Sequence, residues 1–118
     1  MKKKLISIII NCYNGEKFLK KNLKSVLKQD YKNFEVIFID NCSTDRSAKI
    51  FKEINDKRFK YFKTKKKVKL YEGRNFALKK CNGQFITFLD TDDWWKKNFL
   101  SSRNKFYNSK KEYGFCYS

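Results

Sequence analysis

Three stretches, "LISIII" at 5–10, "FEVIFI" at 34–39 and "QFITFL" at 84–89, are apolar almost without interruption. A strand with one face in water alternates apolar and polar residues, so an unalternated run belongs in a sheet covered on both faces. A helical pattern follows each run. After the first, Phe18, Leu19, Leu23, Val26 and Leu27 recur at helical spacing, with lysines on the other face. After the second, "CSTDRSAKIFKEI" offers Ser43 or Thr44 as an N-cap, Asp45 for the first turn, and Ala48, Ile50, Phe51 and Ile54 as apolar positions. "RFKYFK" at 58–63 reads as a short strand near an edge, and residues 72–81 as a helix stopped by Asn82-Gly83. Residues 96–109 read as another helix, and "YGFCYS" as the start of a last strand. Strands separated by helices predict βαβ units with right-handed crossovers and an α/β fold on a mainly parallel sheet.

At 118 residues, 41% of them hydrophobic, the chain is one domain or part of one, with enough apolar surface for a core. A further strand beginning as the sequence stops suggests an incomplete domain over 1–118. No apolar run reaches the length of a membrane span, and "MKKK" does not open a secretory signal, so the expected location is cytoplasmic. Cys12, Cys42, Cys81 and Cys116 form no C-x-x-C pair and fit free thiols better than two disulfides. The absence of histidine removes imidazole zinc sites and His-dependent triads within this sequence, so any metal should be a hard cation held by oxygen.

Lys and Arg number 29 against 12 Asp and Glu, a net charge of +17. That balance implies an anionic partner or surface: nucleic acid, acidic lipid headgroups or phosphorylated small molecules. Clusters such as "KTKKKVK" at 63–69 also fit a merely solvated face. Against this background, Asp90, Asp92 and Asp93 stand within four positions of one another. Each neighbouring carboxylate pair at ~5 Å costs on the order of 1 kcal/mol even in water.

Open parallel sheets bind ligands beyond the carboxyl ends of their strands. Polar residues gather at those ends: Asn11, Tyr13 and Asn14; Asp40, Asn41 and Ser43; Asp90, Thr91, Asp92 and Asp93. Singly, Asp40 could cap a turn and Asp92 or Asp93 could cap the next helix. Together they suggest acids from distant parts of the chain converging on Mg²⁺ or Mn²⁺, and through it on a diphosphate. Tyr13 could offer its ring to a nucleobase or simply pack. Arg74 could pair with phosphate or be an exposed helix-start arginine. Trp94 and Trp95 are expected beneath the site.

"ISIIINCYNGEKFLKKNLKSVLKQDYKNFEVIFIDNCSTDRS", "EGRNFALKKCNGQF" and "ITFLDTDDWW" occur in an order that resembles family 2 glycosyltransferases of the GT-A fold. The resemblance covers about residues 4–100 and implies a Rossmann-like, nucleotide-sugar-binding portion of such a domain. It implies that Tyr13 lies against the nucleobase, Asp40 contacts the base, and Arg74 lies near base and phosphates. It further implies that Asp90 approaches ribose or metal and that Asp92 coordinates the metal, Mn²⁺ or Mg²⁺. The sequence departs from the family pattern at Asn11-Cys12, usually Pro-Thr, and at Asn41-Cys42, usually Asp-Gly. The implied reaction moves a sugar, with inversion, from a nucleoside diphosphate donor to a hydroxyl of a glycan or lipid-linked acceptor. A UDP-sugar is the expected donor, and the general base is expected beyond residue 118.

Two other readings compete. One is a short donor-binding module without transfer activity. The other is a basic nucleic-acid-binding domain, disfavoured because no such motif is present and three acids would repel phosphate. The lysine excess also suggests peripheral attachment to the inner face of the cell membrane.

Overall fold

In the computed structural model, which describes residues 4–109, the apolar runs become strands β1 (Ile6–Cys12), β2 (Phe34–Asp40) and β4 (Phe85–Phe88), with β3 (Phe59–Lys63) beside β2. All pairings are parallel, in the order β3-β2-β1-β4. The edge position expected for 58–63 is met. Helices α1 (Glu16–Leu27), α2 (Ser47–Lys52), α3 (Leu70–Lys80) and α4 (Phe99–Ser109) alternate with the strands. The "YGFCYS" strand and Cys116 lie outside the described residues.

The unalternated runs are explained by two cores. Ile6, Ile8 and Ile10 with Phe34, Val36 and Phe38 face one side, against Leu19, Leu23 and Val26 of α1, Phe51 of α2 and Leu100 of α4. Ile9, Ile37 and Ile39 face the other, against Ala77 of α3. Successive residues of a strand point to opposite faces, so a sheet covered on both sides needs apolar residues at every position. Truncating a fully buried residue such as Leu23 to Ala should cost about 2–5 kcal/mol. Phe18, assigned by spacing to the buried stripe of α1, lies outside it and is exposed.

Two local expectations change. Helix α2 begins at Ser47, with Arg46 rather than Ser43 or Thr44 at its N-cap. The earlier residues are drawn off instead: Ser43 Oγ accepts the Asn14 N–H at 2.9 Å, and Asn14 Oδ1 accepts the Thr44 N–H at 2.7 Å. Gly83 is no left-handed cap, since α3 ends in an extended Cys81. Its lack of a side chain serves a close approach, because a Cβ there would stand 2.5 Å from Ser7 Oγ. That approach belongs to a polar knot around buried Glu35, which accepts hydrogen bonds from Ser7 Oγ at 2.6 Å, Asn82 N–H at 2.6 Å and Lys60 Nζ at 2.9 Å.

The chain builds β1, β2 and β3 outward on one side, then crosses back to place β4 on the other side of β1. The direction of winding therefore reverses at β1, which puts the topological crevice at the carboxyl ends of β1 and β4, with the end of β2 alongside.

Candidate functional site

The loops after β1 and β2 are fastened together before any ligand is considered. Asp45 accepts the Glu16 N–H at 3.1 Å and the Ser47 N–H at 2.9 Å, tying the starts of α1 and α2 to one carboxylate. Ser47 Oγ accepts the Gly15 N–H at 2.9 Å. The tight path requires left-handed backbone at Asn14 (φ 48°) and Cys42 (φ 57°). Asn tolerates that conformation; Cys42 holds it at a cost of roughly 1–2 kcal/mol, at a position where the family pattern has glycine.

Asp40 ends β2 and is buried. Its carboxylate accepts the Ser43 N–H at 2.9 Å and the Tyr61 O–H from β3. Burial, reinforced by this carboxylate, pushes the Tyr61 phenol well above its ordinary pKa. The next residue, Asn41, clasps the basic loop: its Oδ1 accepts the Val68 N–H at 2.8 Å and its Nδ2 donates to the Val68 carbonyl at 2.7 Å. One residue earlier, Lys67 holds its ammonium 3.6 Å from the centre of the Tyr13 ring, which is half exposed. The 63–69 lysines are thus not all a remote solvated face, because one of them covers the expected nucleobase platform.

Asp90, Asp92 and Asp93 are exposed in a turn closed by the Asp93 N–H to Asp90 carbonyl bond at 3.0 Å. Asp93 Oδ1 accepts the N–H of the adjacent Trp94 at 2.8 Å, and since α4 begins only at Phe99, neither Asp92 nor Asp93 is its N-cap. The carboxylates of Asp90 and Asp92 have no hydrogen-bond or ion-pair partner among the described residues. The turn lies against the β1 loop: a Cβ on Gly15 would meet Thr91 Oγ1 at 3.3 Å and Cys12 Sγ at 3.1 Å. Arg74 approaches from α3, its guanidinium carbon 4.9 Å from the Phe88 ring at the end of β4. Its Nε is buried without a partner among the described residues. The approach depends on Gly73, where a Cβ would stand 2.7 Å from Asn11 Oδ1. Trp95 stacks on Phe99 at 4.2 Å as expected of a packing residue, whereas Trp94 is half exposed beneath the Lys21 ammonium.

Tyr13 thus follows the end of β1, Asp90 and Asp92 follow the end of β4, and Arg74 lies against Phe88 at that same end. The structure does not bring Asp40 into a shared metal socket. Among the described residues, no group of three or more His, Cys, Asp or Glu side chains is placed to hold a metal ion. The pleat explains the correction: Asp40 lies on the same face as Phe38 and Val36, and it meets Tyr61 there. Asp90 and Asp92 still fit a hard cation of the kind bound through one or two carboxylates plus substrate phosphates.

Spacing alone did not single out Asn22, Ser25 and Gln29 of the first helical segment. Asn22 Nδ2 donates to the carbonyls of Asp90 (2.8 Å) and Asp93 (2.9 Å), and Gln29 Nε2 donates to that of Lys96 (2.7 Å). The available signal was a polar residue, Asn22, inside the stripe that also carries Leu19 and Val26.

A parallel α/β sheet whose strand order reverses at β1 defines a Rossmann-like protein. The sequence profile described as Glycosyl transferase family 2 matches residues 7–118, and the chain belongs to that family. It is 38% identical over 114 residues to the UDP-Glc:alpha-D-GlcNAc-diphosphoundecaprenol beta-1,3-glucosyltransferase WfaP of Escherichia coli, covering 97% of this chain and 45% of that protein. Among solved structures, S. aureus TarS 1-349 in complex with UDP-GlcNAc superimposes with a TM-score of 0.82 at 32% identity, over 92% of this chain and 32% of that one. The mannosyltransferase PcManGT from Pyrobaculum calidifontis shares the fold, with a TM-score of 0.84 at 20% identity, over 91% of this chain and 33% of that one. The chain spans less than half the length of the curated relatives it matches.

Proposed function

We propose that residues 1–118 form the donor-binding portion of a glycosyltransferase that moves a sugar from a nucleoside diphosphate-sugar to a hydroxyl of a glycan or lipid-linked acceptor. The observation that carries this reading is that Tyr13, Arg74 and the unpaired Asp90 and Asp92 all stand by the carboxyl ends of β1 and β4, where the strand order reverses. A uridine diphosphate donor is favoured by the ligand of TarS and by the donor in the name of WfaP.

In this reading the Tyr13 ring supports the base once Lys67 moves aside, and Arg74 offers its unsatisfied guanidinium to the diphosphate. Asp40 contributes by holding the 41–45 loop that forms the pocket wall. Asp90 and Asp92 would hold Mn²⁺ or Mg²⁺, which supplies positive charge against the departing diphosphate. The chain's own residues orient the donor, and none of them is assigned the deprotonation of the acceptor. Lysines on the outer surface would attract an anionic cytoplasmic leaflet, where lipid-linked acceptors reside. Among the described residues no helix is long and apolar enough to cross a membrane.

Calorimetric titration with UDP tests the reading. We expect binding that strengthens when Mn²⁺ replaces EDTA; equal affinity in both conditions would remove the metal role. The short span relative to family members favours binding without transfer by this chain alone, which a radiolabelled-sugar transfer assay run beside the titration would decide.

A further inference from the structure

We infer that Asn22, supported by Ser25 and Gln29, is a positioning residue that sets the acidic turn in the geometry needed for a divalent cation. The inference rests on the reading of Asp90 and Asp92 as its ligands. The three residues follow one stripe of α1 and the residues just after it, at i, i+3 and i+7. Asn22 and Gln29 are fully buried. An apolar residue would fill such positions without needing partners, and an unpaired buried amide costs roughly 1–3 kcal/mol.

The hydrogen bonds of this ladder to the 90–100 segment go to the main chain. One Asn22 amide nitrogen holds both ends of the turn, the Asp90 and Asp93 carbonyls, at 2.8 and 2.9 Å. Ser25 Oγ accepts the Trp95 N–H at 3.1 Å and donates to the Asn22 carbonyl at 2.7 Å. Gln29 Nε2 donates to the Lys96 carbonyl at 2.7 Å, and its Oε1 accepts the Leu100 N–H at 2.9 Å. The backbone is therefore fixed while the Asp90 and Asp92 carboxylates stay free. Asn22 Oδ1 is buried without a partner among the described residues, so the side chain acts on the turn through donation. Exchanging its amide oxygen and nitrogen would aim an oxygen at two carbonyl oxygens. The mutual repulsion of the acids tends to spread the turn, and a donor bridging its two ends opposes that spreading.

The test titrates UDP into the chain and into Asn22→Ala, each in Mn²⁺ and in EDTA, and follows amide hydrogen exchange without metal. Groups that orient metal ligands typically contribute about 10–100-fold in metal affinity, so the Mn²⁺ enhancement should shrink by about that factor. Affinity in EDTA should change by less than about threefold, and the Asp93 amide should exchange faster. A folded variant that keeps the full enhancement, or that loses affinity equally in both conditions, overturns the positioning role. If Asn22→Ala fails to fold, Ser25→Ala undergoes the same titrations under the same criteria, with a smaller loss of enhancement expected. An unmodified chain without Mn²⁺ enhancement would instead overturn the metal reading beneath this one.

Discussion

The carboxyl ends of β2 and β4 each deliver an aspartate to the same rim, and the two ends use it in opposite ways. At β2, Asp40 is buried and its carboxylate is committed to Ser43 and Tyr61. At β4, the Asp90 backbone is bound by Asn22 while the side chains of Asp90 and Asp92 are exposed and lack partners among the described residues. One acid is spent on the fold; the others are left exposed. Position at a strand end does not decide the role of an acid. What decides it is whether neighbouring donors reach the carboxylate or only the main chain.

Substitution at Asp40 tests this contrast with the largest effect. Asp40→Ala leaves the half-buried Tyr61 O–H and Ser43 N–H without their acceptor and should cost about 3 kcal/mol by urea denaturation. The Mn²⁺ enhancement of UDP binding in the folded fraction should survive. Loss of the enhancement with little change in stability would reverse the roles assigned to the two strand ends.

Glu35, at the other end of β2, supplies a second committed acid. Burial alone would raise its pKa, but hydrogen bonds from Ser7, Asn82 and Lys60 outweigh it and bring it from 4.5 down to about 2. A depressed carboxylate stabilises the fold above its unfolded pKa. That contribution should disappear as pH falls from about 4.5 through 2, a loss of up to about 3 kcal/mol. Equilibrium unfolding at stepped pH should show this acid limb, and Glu35→Gln should flatten it.

Asp92→Asn should act on ligand binding alone. It removes a free carboxylate and one source of repulsion, so Tm should hold or rise slightly. UDP affinity in Mn²⁺ should fall about 100-fold, near 2.7 kcal/mol. A clear drop in Tm would show that the acidic turn is structural after all. The smallest effect concerns the β2 side, where Cys42→Gly should relieve the left-handed backbone at φ 57° and raise stability by about 1 kcal/mol. A stability decrease in thermal melts would mean that the Cys42 contact with the Thr64 carbonyl at 3.4 Å outweighs the strain.

Much of this molecule was legible before its structure. The unalternated runs at 5–10, 34–39 and 84–89 announced a two-faced parallel sheet, and the residues after them marked the rim. Asp40 was the misleading residue. Its chemistry suits a cation, but a sequence does not show that Tyr61, 21 positions away, will reach its carboxylate from β3. Spacing gave Asn22 and Gln29 no role, although both are fully buried and bonded across the fold.

Residue order alone determined the alternation of strands and helices, the apolar character of both sheet faces, and the local clustering of three acids. These depend on periodicity and composition over a few neighbouring positions. Tertiary structure alone decided which acid is spent and which is free, which lysine covers Tyr13, and which amide of α1 grips the turn. Those outcomes depend on register between distant strands and on which donors burial leaves without water, and neither is written in any local stretch of the chain.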